Sequence, residues 1–177
     1  MENQSNAVLK SAMNYGLYLG LALVLNSVIF YVMGKPFSEI SGYLNYVIII
    51  GILSWGMYSF REYSGEGGLS YSRALGFGTL LSLFASLIMA FYTFVLYKIV
   101  DPGLLDKFMV FLEENLIKAG KPENQVEMLI NFYKKFLTPL LYSFAQIFGV
   151  TLTGFIFSLI VAIFYKRQPS NPFHGVE

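Results

Sequence analysis

The residues of this sequence that could do chemistry are concentrated in one charged, glycine-rich stretch, residues 61–73 (REYSGEGGLSYSR). Arg61, Arg73 and the backbone of Gly67 and Gly68 lie here, next to the predicted start of an apolar helix. Guanidinium groups and the N–H groups of a helix N-terminus bind anions, so one interpretation is a contact site for a lipid headgroup or another anion. We favour a simpler interpretation, a solvated turn with local ion pairs, because two acids balance the two arginines and the GK[ST] ending of a phosphate-binding loop is missing.

The rest of the sequence offers little catalytic or metal-binding chemistry. It has no cysteine, and its single histidine, His174, lies in the C-terminal tail. Thiolate sites, histidine metal sites and Ser-His-Asp triads therefore have almost no basis within one chain. There is also no HExxH motif and no pair of aspartates within an apolar run. We expect no catalytic residue, no metal and no cofactor.

Four amides are the main polar groups inside the apolar runs of the chain. Amides at such positions usually hydrogen-bond between helices, and we predict that role for them. No acidic or basic side chain lies in the apolar cores, which counts against ion-coupled transport and proton pumping. The four amides are Asn14, Asn26, Asn45 and Gln146.

The composition places the chain in a membrane. Of its 177 residues 55% are hydrophobic and 13% are charged, and the mean hydropathy is +0.57. An average soluble domain has about 25% charged residues. The net charge of +1 gives no basic surface for nucleic acid, so we expect the lipid bilayer and no nucleic acid as a partner.

Four predominantly apolar runs predict an all-α, integral membrane four-helix bundle. A helix needs roughly 20 apolar residues to cross a bilayer. The first run is too long for a signal-peptide core, so we expect it to remain as the first span. The predicted spans are residues 12–33, 43–60, 74–100 and 139–165, with a polar N-terminus at 1–11 and a disordered tail at 166–177.

Rows of small residues at every fourth position predict close packing between spans, or between copies of the chain in a homo-oligomer. The longest row is in the third span, which we therefore predict to be the centre of the bundle. The residues are Gly16 and Gly20 in the first span, and Gly78, Ser82, Ser86 and Ala90 in the third. The fourth span has two rows, one with Gly149 (Ala145-Gly149-Thr153) and one with Gly154 and Ser158 (Gly154-Ser158-Ala162).

Residues 103–137, between the third and fourth spans, have a different character. Apolar residues recur there at helical spacing with charged residues between them, and Gly120 and Pro122 divide the segment in two. The pattern predicts an amphipathic helical hairpin that is too charged to cross the bilayer. Its apolar stripes must pack against each other, the end of the bundle or the lipid interface.

The stretch from Arg61 to Pro102 also carries a family pattern. It has Gly-Gly-Leu-Ser-Tyr at 67–71, Arg73-Ala74 and Asp101-Pro102 before the amphipathic segment. With the spans on either side, about residues 8–167, this resembles domain of unknown function 4199, a family of small four-span bacterial membrane proteins common in Bacteroidetes. The resemblance implies a bacterial inner membrane and no known activity. Gly68, Arg73, Asp101 and Pro102 are the positions that would define the family.

Four spans place both termini on one side of the membrane. With the termini inside, five basic residues lie inside and seven outside, which opposes the positive-inside rule. The six lysines of the long loop are matched by six acids, however, and every arginine lies on the side of the termini. We therefore expect cytoplasmic termini and an external hairpin.

Three functions remain open from the sequence. The first is a non-enzymatic structural or interaction protein whose hairpin binds a partner, such as a membrane or envelope protein, or the lipid interface. The second is an oligomeric transporter or channel for a small solute or a lipid. The third is an enzyme that acts on lipid headgroups through the 61–73 turn.

Overall fold

A computed structural model describes residues 2–63 and 69–166, which fold into six α-helices and one π-helical turn. Four of these segments are long and apolar enough to cross a membrane, which confirms the predicted all-α fold with four spans. The helices are α1 (Glu2–Val32), α2 (Glu39–Tyr63), α3 (Tyr71–Val95), α4 (Leu104–Lys118), α5 (Glu123–Phe136) and α6 (Pro139–Tyr165), and the π-helical turn (Leu96–Val100) continues α3.

The helices extend beyond the apolar runs that reveal them. Helix α1 begins at Glu2, ten residues before the predicted span, because the polar residues ahead of that span include no proline or glycine to stop it. Helix α2 likewise continues to Tyr63, into the predicted 61–73 turn. Hydropathy marks the part of a helix that can lie in lipid, whereas the helix itself ends where its hydrogen bonding is interrupted. Residues 64–68 and the tail from 167 lie outside the described residues.

Helices α1 and α4 end in the same way, at Gly34 and Gly120. Both glycines have positive φ, 71° and 74°, a conformation that other residues reach only with strain. In each case the N–H of the following lysine donates to the carbonyl five residues before it, which forms a Schellman cap. A proline follows that lysine in both places. The tripeptide Gly-Lys-Pro therefore ends both helices.

Helix α3 lies at the centre of the bundle. It packs against α1, α2 and α6, and 39% of its most apolar window is buried, against 22–28% in the other three spans. Phe77 is fully buried, and its ring stacks on the ring of Phe60 in α2 at 4.8 Å. Leu19 of α1 and Leu53 of α2 belong to the same buried cluster. The other three spans are therefore arranged around α3.

The third span ends in the π-helical turn, immediately before Asp101 and Pro102. The Asp101 N–H donates to the Leu96 carbonyl at 2.8 Å, five residues back rather than four. Asp101 then leaves the helical region, with φ −139° and ψ 83°, as expected for a residue that precedes proline. The chain turns here toward α4.

Candidate functional site

The closest helix contact joins α3 to α6 through two of the predicted small-residue rows. A Cβ atom added to Gly154 would overlap the side chain of Ser82, and one added to Gly78 would overlap the side chain of Ser158. Thr151 also donates a hydrogen bond to the Ser86 hydroxyl at 3.1 Å. The order of these contacts shows that α3 and α6 are antiparallel, with glycine facing serine along the seam.

Helix α1 contacts the opposite side of α3 through Gly16 and Gly20. A Cβ on Gly16 would lie 2.6 Å from the Cβ of Phe84 and 2.8 Å from the carbonyl oxygen of Leu81. A Cβ on Gly20 would lie 2.8 Å from Cδ1 of Ile88. Ala90, the last residue of the predicted row in α3, is 8% exposed. Small residues thus bring α3 close to a neighbour on two sides.

The prediction of close packing does not hold for Gly149. A Cβ atom there would meet no other atom within 4 Å. Gly149 lines a groove next to α2 instead. Helical spacing predicts which residues share a face, but it does not predict how near the neighbouring helix comes at each level of that face.

The 61–73 turn is described at its two ends. Arg61 donates to the Glu62 carboxylate at 2.8 and 3.1 Å, and its guanidinium lies 5.2 Å and 5.9 Å from the ring centres of Tyr58 and Tyr165. At the other end, the Ser70 hydroxyl accepts from the backbone N–H of Arg73 and caps α3. The loop glycines Gly67 and Gly68 lie outside the described residues, so the anion site remains a hypothesis. The ion pair of Arg61 agrees with a solvated turn.

The hairpin α4–α5 attaches to the other end of the bundle through aromatic rings. The ring of Phe108 in α4 lies 5.4 Å from Phe37, in the α1–α2 connection, and 5.2 Å from Tyr142 in α6. Phe111 stacks on Phe37 at 5.5 Å, and Leu104 beside the rings is almost fully buried. The sequence analysis did not single out this cluster, because aromatic residues from three distant segments have no common spacing. Helix α4 therefore closes one end of the bundle.

An ion pair holds the start of α4. Lys107 Nζ lies 2.9 Å from Asp101 Oδ2, and Tyr31 Oη of α1 is 3.5 Å from the same oxygen. The hydrogen bond from Lys107 lowers the pKa of Asp101, and the same bond raises the pKa of Lys107. A carboxyl group with a lowered pKa stabilises the fold above its ordinary pKa and loses that effect as the pH falls. A lysine with a raised pKa loses its effect only as the pH rises through that pKa.

We expect this pair to stabilise the attachment of α4 throughout the neutral range and to fail in acid. Hydrogen exchange of the first-turn amides of α4, corrected for the intrinsic effect of pH, should accelerate as the pH falls below the ordinary range of an aspartate. In Asp101→Asn the same amides should exchange faster already at neutral pH and show no acid transition. An unchanged transition in Asp101→Asn would contradict the assignment.

Helix α5 has more apolar surface than its contact with α4 buries. It packs on α4, with Val126 and Ile130 buried. Met128, Phe132 and Phe136 form a second apolar row at every fourth position, and they are 65%, 58% and 51% exposed. We call these three residues the exposed row of α5. More than half of the surface of each of these residues is left uncovered by the described part of the chain.

Four apolar spans, three of them packed on the central helix α3, and an amphipathic hairpin across one end define a multi-pass α-helical membrane protein. The family described as "Protein of unknown function (DUF4199)" has a sequence model that matches residues 14–167, and the chain belongs to this family. The resemblance drawn from the sequence is thereby confirmed. Neither the curated proteins nor the solved structures contain a match.

Proposed function

We propose that this is a non-enzymatic membrane protein of structural or interaction type whose hairpin binds the lipid interface through the exposed row of α5. The observation that carries the proposal is the width of the apolar surface on α5. A helix that packs on one neighbour needs a single apolar stripe, whereas α5 has one stripe against α4 and another that the described residues leave more than half exposed.

The two stripes point in different directions. At about 100° per residue, the exposed row covers about 80° of the helix, and Val126 and Ile130 lie about 120–160° from Phe132. On one side Leu129 and Tyr133 lie between the two stripes, and on the other side polar residues occupy the arc. An amphipathic helix with aromatic residues on one side and lysines beside them is typical of a helix that lies in the membrane interface. Lys135, 5.9 Å from the ring centre of Phe136, supplies such a cation.

The position of α5 along the chain favours lipid over a soluble partner. Only Leu137 and Thr138 separate α5 from the span α6. At most about 3.5 Å per residue, Phe136 lies within about 14 Å of Leu140, which begins the exposed apolar surface of α6. The headgroup region is several ångströms deep on each side of the hydrocarbon core. The end of the exposed row is therefore held within reach of it.

Tryptophan fluorescence with brominated lipids tests this proposal. Trp55 is the only tryptophan, so a Trp55→Phe background leaves the signal to one introduced probe. In liposomes, Phe132→Trp should emit at short wavelength and be quenched most by lipids brominated near the headgroup end of their chains. The matched control is Asn131→Trp, about 100° around the same helix, which should emit as in water with little quenching. Equal quenching at both positions, or none at 132, would overturn the proposal.

We further propose that the protein lies in a bacterial inner membrane with cytoplasmic termini and an external hairpin. All three arginines lie at or beyond the ends of α2, α3 and α6 that face away from the hairpin. Because the chain has no cysteine, single cysteines can report their side of the membrane. In intact cells a membrane-impermeant maleimide should label Lys121→Cys and not Ser72→Cys, two exposed positions at opposite ends of the bundle. The reverse pattern would place the hairpin in the cytoplasm.

A further inference from the structure

The groove that Gly149 lines is a cavity of about 190 Å³ within the membrane-spanning part of the bundle. It lies between α2 and α6, with Leu23 of α1 and Met89 of α3 also in its wall. Tyr46 and Gly149 on its walls are exposed, so the groove opens sideways, where the surface of a spanning bundle meets lipid. A ligand could therefore enter it directly from the bilayer.

The depth of the groove follows from the helix positions of its polar residues. Asn45 lies six residues into α2, and Gln146 and Thr153 lie seven and fourteen residues into α6. At about 1.5 Å per residue these positions are ~9, ~10 and ~21 Å from the helix starts at the hairpin end. The groove thus runs from below the headgroups to about the middle of the bilayer.

The polar groups in the groove are only partly used by the protein. Asn26 Nδ2 donates to Asn45 Oδ1 at 2.8 Å and also contacts Ser41, which fixes the orientation of the Asn45 amide between α1 and α2. Because the side-chain oxygen of Asn45 accepts this hydrogen bond, its N–H groups remain available as donors. They make no hydrogen bond to any of the described residues. The Thr153 hydroxyl likewise has no hydrogen-bond partner there. An unpaired polar group in hydrocarbon is energetically unfavourable, so such groups favour a polar ligand atom.

From this groove we infer a binding site for an uncharged lipid that carries an ester or hydroxyl group, such as a diacylglycerol. Asn45 donates to an oxygen of the lipid, and the apolar part of the wall holds the adjoining hydrocarbon. The described residues that line the groove include no Asp, Glu, Lys, Arg or His, so a charged headgroup would lack a counter-charge among them at this depth. The cavity is smaller than the roughly 300–1,000 Å³ of a site for a whole drug-sized ligand, so it takes one end of the lipid.

Gly149→Leu tests the site by filling it. Because a Cβ atom at Gly149 would meet no other atom within 4 Å, the backbone there can carry a side chain, and a leucine would extend into the groove that Gly149 lines. Gly51→Leu is the matched control, since Gly51 is an exposed glycine of α2 with equally free space and no part in the groove. The probe is a diacylglycerol with a photoreactive group near its ester, diluted into phosphatidylcholine nanodiscs that contain the full-length protein.

We expect crosslinks to map to the groove-lining residues of α2 and α6. Gly149→Leu should reduce their yield at least tenfold, and Gly51→Leu should leave it unchanged. Asn45→Leu, which removes the donor and keeps a similar volume, should reduce the yield for the diacylglycerol probe but not for a hydrocarbon probe. Crosslinks spread evenly over the lipid-facing surface, or an unchanged yield in Gly149→Leu, would overturn the inference. Neither result depends on whether the hairpin binds the interface.

Discussion

Gly154→Ala is expected to lower the free energy of unfolding of the bundle by about 1–3 kcal/mol, the usual cost of an extra carbon in a closely packed core. The added Cβ would overlap both Oγ and Cβ of Ser82, and neither is the free end of a long side chain. Helices α3 and α6 would have to separate along their closest contact. The measurement is equilibrium unfolding in mixed detergent micelles with increasing sodium dodecyl sulfate.

Two further variants isolate the cause of that loss. In the double variant Ser82→Gly with Gly154→Ala, the nearest remaining atom of residue 82 is its Cα at 3.7 Å, an ordinary contact distance. The double variant should therefore be more stable than Gly154→Ala alone. Gly149→Ala, five residues earlier on the same helix, should cause no loss because its Cβ meets nothing within 4 Å. If Gly149→Ala and Gly154→Ala were equally destabilising, the overlap with Ser82 would not be the reason.

Phe108→Ala is expected to release the hairpin while the bundle stays folded. The substitution removes two ring contacts, with Phe37 and Tyr142, and each such pair contributes about 0.5–1.5 kcal/mol beyond the apolar area that it buries. The two ring pairs together contribute about 1–3 kcal/mol, and the loss of this contribution alone corresponds to an increase of roughly 5- to 150-fold in local opening. Hydrogen exchange of the α4 amides measures this opening directly.

The control for Phe108→Ala is Val110→Ala, on the same helix. Val110 is 56% exposed, so its truncation should change the exchange of α4 by less than about twofold. The amides of α3 should exchange at the original rate in both variants, because the aromatic cluster lies outside the central core. Equal acceleration in α3 and α4 would mean that the hairpin and the bundle open as one unit, contrary to the described attachment.

The sequence predicted the helices and the small-residue rows because both depend on local spacing. Gly120 is an example of a helix end that the local sequence predicts, because this glycine, followed by lysine and proline, ends α4 as expected. The pairing of Ser82 with Gly154 could not be predicted, because it depends on the level at which two helices, separated by the hairpin, come into contact. The same reason accounts for Gly149, whose row has the right spacing but no near neighbour.

The attachment of the hairpin to the bundle could not be predicted from the sequence for a different reason. Phe37, Phe108 and Tyr142 lie in three segments, and aromatic residues are common throughout a chain with 18% of them. Nothing local distinguishes a ring that faces a second ring from one that faces lipid. The groove could not be predicted for a similar reason. The sequence around Asn45 is the same whether its amide is fully hydrogen-bonded between helices or has unpaired N–H groups.

The position of α3 between α1 and α6 has a consequence for the order of membrane insertion. During synthesis α1 can contact α3 as soon as the third span has entered the membrane, but the other side of α3 has no partner until residues 139–165 are made. Ser82 and Ser86 must then face lipid. Their hydroxyls donate to carbonyls of their own helix, Gly78 at 2.8 Å and Leu83 at 2.6 Å, so they need no partner from α6. Ser82 and Ser86 are thus compatible with an intermediate that lacks α6, and the residues that face them, Gly154 and Thr151, are added last.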